Sequence, residues 1–232
     1  MAGERHARLL SKVATYGLQG PLIQQLCTGA LDLLAVNGAA FILMSDRETG
    51  ALAAVAGTRT PRLEDLQFTL GEGPCLQSFE SGRPVIEPDL LRDARARWPV
   101  FVDAAAELGA RAVFALPLQI GAARLGVLYL FREEPGLLSG EGFADAFAVA
   151  DVGTWLLLGM QAGAVPGELG EDLDGSWTYR AVVHQAAGMI GARLEIPLVE
   201  ALTRLRALAF AAERTIYQIA ADVVERRIEV VR

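Results

Sequence analysis

Few groups in this chain can do chemistry. It has two cysteines, Cys27 and Cys75, and two histidines, His6 and His184. Cys75 follows Pro74 in the run Leu70-Gly-Glu-Gly-Pro-Cys-Leu76. Proline is tolerated in the first turn of a helix, so the thiol is expected just inside a short helix. The helix N-terminus there favours a thiolate. Such a position suits a redox-active or adduct-forming sensor thiol, and it equally suits a small buried side chain that packs the loop. Two cysteines form neither a disulfide framework nor a metal site, so no metal ligands are assigned. Before residue 164 the only histidine is His6, which leaves no nucleophile–histidine pair and no catalytic set. Gly71-x-Gly73 is followed by proline and has no lysine, unlike a phosphate-binding loop. No cofactor is identified by these residues.

A second group of chemically useful residues lies near the C-terminus: Arg180, His184, Gln185 and Gly188, then Arg204, Arg206, Arg214 and Tyr217. Arginine suits bidentate phosphate and base contacts, and an exposed tyrosine can stack on an unpaired base. The helices that must carry them are legible. Tyr179, Val182, Val183, Ala186, Met189 and Ile190 recur at helical spacing, and Arg180, His184, Gly188 and Gly191 fall opposite them. Pro197 marks the next start, and Leu198, Ala201, Leu202, Leu205, Leu208 and Ala209 repeat the spacing. Thr215 and Gln218 have the separation of a capping box ahead of Ile216, Ile219, Ala220 and Val223. Three short stripes joined by tight turns bury themselves only against one another, so a small bundle is expected over 176–232. Glu200 and Arg204 are spaced for an i, i+4 pair.

Charge divides the chain the same way. The formal net charge is −7, which by itself argues against a nucleic-acid binder. From Ser176 onward, however, eight arginines face six acids, for a net +2, while the rest of the chain stands at −9. An acidic sensor joined to a mildly basic contact module has this asymmetry.

Before residue 164 the pattern is mixed. Residues 3–18 are mildly helical, and Pro21–Val36 is a stronger helix ended by Asn37-Gly38. Ala39–Ser45 and Ala51–Gly57 form a hairpin, and 57–84 reads as loop with one short helix at Pro74. Val85–Asp89 is an edge strand stopped by Pro88, and Trp98-Pro99 opens a helix. Ala112–Gln119 and Leu125–Arg132 form a second hairpin, and Ser139 caps a long helix from about Gly140 to Gln161. The fold class is therefore α+β, an antiparallel sheet with flanking helices followed by an all-α three-helix bundle. The expected domains are 1–163, an acidic linker at 164–175, and 176–232. Asp145 and Asp151 interrupt the most apolar stretch, so no membrane span is expected. The N-terminus lacks the apolar core of a signal peptide, which makes a cytoplasmic location the default.

The first region resembles the GAF domain of actinobacterial GAF–ANTAR regulators. The likeness is carried by Leu70–Leu76, Gly82-Arg-Pro-Val85, Trp98-Pro99, Leu108–Phe114, Pro117-Leu118, Leu125-Gly126 and Ala150-Asp151. The C-terminal region is similar to the ANTAR family through Arg180, Gln185–Met189, Glu200-Ala201, Leu205-Arg206, Ile219-Ala220 and Val223-Val224. Ala187 and Thr215 stand where many members are basic. The resemblance implies a transcription antitermination regulator that senses a small molecule or redox state and binds paired RNA stem-loops. It implies a ligand cavity between the sheet and the loops covering it, lined by Phe68, Cys75, Trp98, Phe101 and Phe114, with Arg92, Arg95, Arg97 or Arg111 as counter-charge. It also implies a homodimer joined through 21–36 and 143–160. Two alternatives stand beside it: a sensor acting by protein contact without RNA, and a cysteine-dependent reductase of GAF fold.

Overall fold

The computed structural model describes residues 2–15, 20–45, 48–163 and 176–228. The acidic segment at 164–175 lies outside them. The chain divides into two compact units, Met1–Leu173 and Asp174–Arg232.

In the first unit, α1 (Ala2–Thr15) and α2 (Leu22–Leu34) precede the strands β1 (Gly38–Ser45) and β2 (Glu48–Ala56). The helices α3 (Thr60–Leu70) and α4 (Pro74–Ser81) lead to β3 (Val85–Glu87). Next come α5 (Leu90–Asp93), α6 (Pro99–Glu107), β4 (Ala112–Ile120), β5 (Ala123–Arg132) and α7 (Gly140–Gly163). The five strands make one sheet in the order β2-β1-β5-β4-β3, antiparallel throughout, as the apolar runs of the two hairpins require. Alternate residues of a strand point to opposite faces, and the sheet is accordingly buried on both. One face carries Phe41, Phe114, Leu116, Leu128 and Leu130 against α2 and α7. The other carries Ala40, Ile42, Val113, Val127 and Tyr129 beneath the connections that hold α3 to α6.

Local chemistry explains most boundaries. The Ser139 hydroxyl accepts from Gly142 N at 2.9 Å and opens α7. Helix α2 stops one turn before Asn37-Gly38, because Ala35 takes the left-handed conformation (φ 51°) and its N–H closes on Leu31 O. Asn37 instead serves the sheet: its N–H donates to Phe131 O and its Oδ1 accepts from Glu133 N, both at 2.9 Å. The segment Gly140–Met160 of α7 is apolar and long enough to cross a membrane, yet Ala146, Val149, Val152 and Leu157 are buried in the core on the α2 side of the sheet. A core helix meets the same length and composition.

Sequence patterning does not find α3. Its buried face is Thr60, Leu63, Glu64, Gln67 and Phe68, three polar residues in five, so no apolar period marks it. Thr60 is satisfied by donating to Ala56 O at 2.6 Å.

The second unit is three helices packed on one another, α8 (Ser176–Leu194), α9 (Leu198–Ala211) and α10 (Ile216–Val224). Val183, Ala186 and Ile190 of α8, Ala201, Leu202, Leu205 and Ala209 of α9, and Ile216, Ile219, Ala220 and Val223 of α10 are buried. The capping box is formed: Gln218 N donates to Thr215 Oγ1 at 3.2 Å, and Thr215 N to Gln218 Oε1 at 3.1 Å.

Candidate functional site

The run Leu70–Leu76 joins three helices. Gly71 ends α3 in the left-handed conformation, and Pro74 starts α4. Between them, Glu72 reaches across to α6, whose first N–H groups lack partners within the helix. Its Oε1 accepts from Val100 N at 2.8 Å and Phe101 N at 2.7 Å. Trp98 at the N-cap of α6 makes no side-chain cap of its own, so Glu72 serves as a cap supplied from another loop. Gln67 does the same for α4, its Oε1 accepting from Cys75 N at 2.9 Å. Gly73 is required between the two: at φ 139° its backbone is open to glycine, and a Cβ would meet Gln67 Oε1 at 2.6 Å. Glu72→Ala is expected to destabilise the domain by about 2 kcal/mol, the loss of a cap with two charge-assisted bonds. Glu72→Gln, which keeps one acceptor oxygen, should lose about half of that. Urea unfolding of the full chain measures both.

Behind this loop a cluster of polar groups is enclosed in apolar surroundings. Glu64 and Gln67 of α3, Cys75 of α4 and Tyr129 of β5 are all buried. Gln67 bonds Cys75 directly, and the Tyr129 hydroxyl is near enough to both Cys75 and Glu64 to feel their charge. Burial first, then those two groups, push the phenol well above its usual range and keep it protonated. Neither Gln67 Nε2 nor the Tyr129 hydroxyl has a hydrogen-bond partner among the described residues. A buried polar group left in this state costs about 1–3 kcal/mol, which makes the pair a candidate site; Arg111 Nε is a third such atom among the described residues. Leu63, Phe79, Leu90, Trp98, Phe101 and Val102 supply the apolar surroundings.

Of the five residues read as cavity lining, Cys75, Trp98 and Phe101 share this face, and Trp98 and Phe101 meet edge-on at 6.0 Å. Phe68 is buried on α3. Phe114 is a correction. It lies on the opposite face, edge-on to Phe143 of α7 at 6.0 Å, because its neighbours Val113 and Ala115 occupy the loop-covered side. The four arginines read as counter-charges each meet a carboxylate. Arg92 faces Asp93 at 3.5 Å, Arg95 faces Asp103 at 2.7 Å, and Arg111 faces Asp89 at 3.2 Å. Arg97 bonds the buried Glu87 and lies 4.5 Å over the Trp98 ring. Gln67, Glu64 and Tyr129 escape sequence reading because a polar helix face resembles a loop and a tyrosine inside LGVLYLFR resembles core. The two thiols are separated by the sheet. Cys27 packs against the helix-covered face, donating to Ala39 O at 3.3 Å, while Cys75 lies on the other. No grouping of His, Cys, Asp and Glu able to hold a metal occurs among the described residues.

In the second unit, Gln185 and Gly188 are exposed, His184 is half-buried, and nothing stands within 4 Å of a Cβ built on Gly188. The Arg180 side chain lies outside the described residues. Ala187 is fully buried. Arg204 and Arg206 do not act together: at 100° per residue they stand about 160° apart, on opposite borders of the buried stripe of α9. Arg204 is held by Glu200 at 3.0 Å, and Arg214 by Asp222 at 2.7 Å. Arg214 and then Arg227 hold the Asp222 carboxyl below its usual range. Tyr217 is half-buried beside the core stripe. Sequence reading passed over Phe210, which is 72% exposed one turn beyond Arg206. Its place off the apolar stripe is the signal that identifies it.

A family model described as GAF domain matches residues 22–163, more than half of the chain. The GAF domain of an Acinetobacter phosphoenolpyruvate-protein phosphotransferase aligns with a TM-score of 0.51 at 13% identity, covering 70% of this chain and 95% of that one. The corresponding domain from Coxiella burnetii aligns at 0.50 and 17%, covering 68% and 96%. No curated protein matches the sequence. A five-stranded antiparallel sheet, a helix-covered face and a polar cluster under the opposite loops accompany that match, and the chain belongs to the GAF domain family.

Proposed function

We propose that the chain is a transcription antitermination regulator, in which the GAF domain senses a small molecule and the C-terminal helices bind stem-loop RNA. The observation that carries the RNA half is the exposed aromatic Phe210 beside Arg206, on a compact net-basic unit that follows the sensor. An exposed ring and a guanidinium on one face suit the splayed bases of an RNA loop better than a duplex, whose edges are hidden. Tyr217, Gln185 and Gly188 would extend this contact. Arg204 and Arg214 lie on the same unit, held by Glu200 and Asp222. GAF domains commonly bind small-molecule ligands, and the buried polar cluster is the element suited to that task here. In this reading the protein is cytoplasmic and not an enzyme. A thiol reductase needs a resolving thiol, and Cys27 is across the sheet from Cys75.

The same reading makes the chain a homodimer through α2 and α7. Trp155 is 66% exposed on α7, two turns from the exposed Phe147, and Leu22 is exposed on α2. Two linked RNA loops would then meet two bundles at high effective concentration.

Titration of a paired stem-loop RNA at several salt concentrations tests the reading. Arg206→Ala and Phe210→Ala are each expected to weaken binding by roughly tenfold, the loss of one phosphate contact or one stacked base. Only Arg206→Ala should flatten the salt dependence. Absence of binding, or affinity unchanged in both folded variants, refutes it. A second reading, a sensor that acts by protein contact, is favoured by the acids that hold Arg204, Arg214 and Arg227 and by the exposed Leu198 and Val199 on α9. It predicts that a folded wild-type chain binds no RNA.

A further inference from the structure

Gln67 Nε2 and the Tyr129 hydroxyl come from different elements, are fully buried, and have no partner among the described residues. Their chemistry specifies what would satisfy them. The Oε1 of Gln67 is committed to Cys75 N, so this amide turns its N–H donors to the interior. The phenol offers an O–H donor. Both therefore seek an acceptor. An anionic acceptor is disfavoured, because the site is closed to water and the buried Glu64 carboxylate and Cys75 lie beside it. Leu63, Phe79, Trp98 and Phe101 of the same buried cluster are apolar. We infer that the sensor domain recognises an uncharged, largely apolar molecule through a carbonyl oxygen that accepts hydrogen bonds from Gln67 Nε2 and the Tyr129 hydroxyl. The inference rests on the small-molecule sensor reading and assigns its ligand class. Because the same Gln67 amide caps α4 through Cys75 N, occupation of Nε2 is felt at the loop that joins α3, α4 and α6.

Three probes of similar size separate the alternatives on the full chain: acetophenone, which has the carbonyl; cumene, which has none; and benzoate, which is anionic. Dissociation constants are read from NMR titration, with the Gln67 side-chain amide as reporter. Acetophenone is expected to bind roughly tenfold more tightly than cumene, the value of one to two hydrogen bonds. It should also shift the Gln67 amide, and benzoate should bind most weakly. Tyr129→Phe removes an unsatisfied hydroxyl, so the fold is retained. It should leave cumene affinity unchanged and reduce the preference for acetophenone to about threefold or less. Gln67→Glu, which keeps the cap on Cys75 N, is the second variant and should also lower acetophenone affinity. Equal binding of acetophenone and cumene, strongest binding of benzoate, or an acetophenone affinity indifferent to both variants overturns the carbonyl inference while a ligand site stands. If none of the three probes binds, the carbonyl inference and the sensor reading of this face fall together.

Discussion

Gly126→Ala should destabilise the GAF domain by about 3 kcal/mol or more, a loss at the upper end of overpacking substitutions. Gly126 sits in β5, the middle strand, paired with Leu43 of β1 on one side and Leu118 of β4 on the other. A Cβ there would overlap the Ile42 carbonyl oxygen and lie 2.9 Å from its carbon and 3.0 Å from Leu43 Cα. The obstacle is backbone, which cannot rotate away as a side chain can. The strands must part, and the β1–β5 hydrogen bonds go with them. Since β5 also presents Tyr129, the polar cluster would be displaced as well. The effect should appear as a fall in Tm of about 10 °C. Gly140→Ala is the control: a Cβ there meets nothing within 4 Å, and Tm should hold. Equal behaviour of the two variants would disprove the close approach of β1 and β5.

How much could be read in advance depended on where the polar atoms went. The strands were legible because AAFILMS, AVFALPLQ and LGVLYLFR are apolar runs bounded by turn residues, and both sheet faces are buried. Helix ends were legible where a side chain caps within its own segment, as at Ser139 and Thr215. They were not where the cap comes from another element: Glu72 on α6 and Gln67 on α4 are contacts only the fold can bring together. The site suffers most from this. Helix α3 was hidden because Thr60, Glu64 and Gln67 fill its inward face, and those residues are what make the region chemically distinctive. Phe114 was placed on the wrong face because an unbroken apolar strand does not declare which alternate set faces which layer. On α9 the buried stripe was legible, whereas the partners of Arg204 and Arg214 and the exposure of Phe210 required the packed structure.

Stability is expected to fall as the pH rises from about 9 to 12, and Cys27 is the main reason. Its thiol is buried between α2 and β1, donating to Ala39 O, and burial pushes its pKa up to about 12. Backbone N–H groups of Phe41 and Ala56 oppose that shift without overcoming it. In the unfolded chain a cysteine titrates near pH 8.5. The folded pKa is the higher one, so the contribution is fully present below the unfolded value. It is lost as pH rises through the folded value, because the unfolded chain has then shed a proton that the native state retains until the top of the window. The slope is about 1.4 kcal/mol per pH unit. Between pH 8.5 and 10.5 the wild type should therefore lose roughly 2 kcal/mol more than Cys27→Ser, whose hydroxyl can take the same place without titrating. Tyr129, also pushed up by burial, adds a loss of the same sign from about pH 10, which Tyr129→Phe should remove. Urea unfolding at pH 7, 8.5, 9.5 and 10.5 resolves the curves, and parallel curves for wild type and Cys27→Ser would refute the assignment. The outcome also bears on chemistry. A thiol held protonated at neutral pH, on the far side of the sheet, is a poor nucleophile and cannot resolve an oxidised Cys75. Any redox response of this domain must then run through Cys75 alone or through a thiol from outside it.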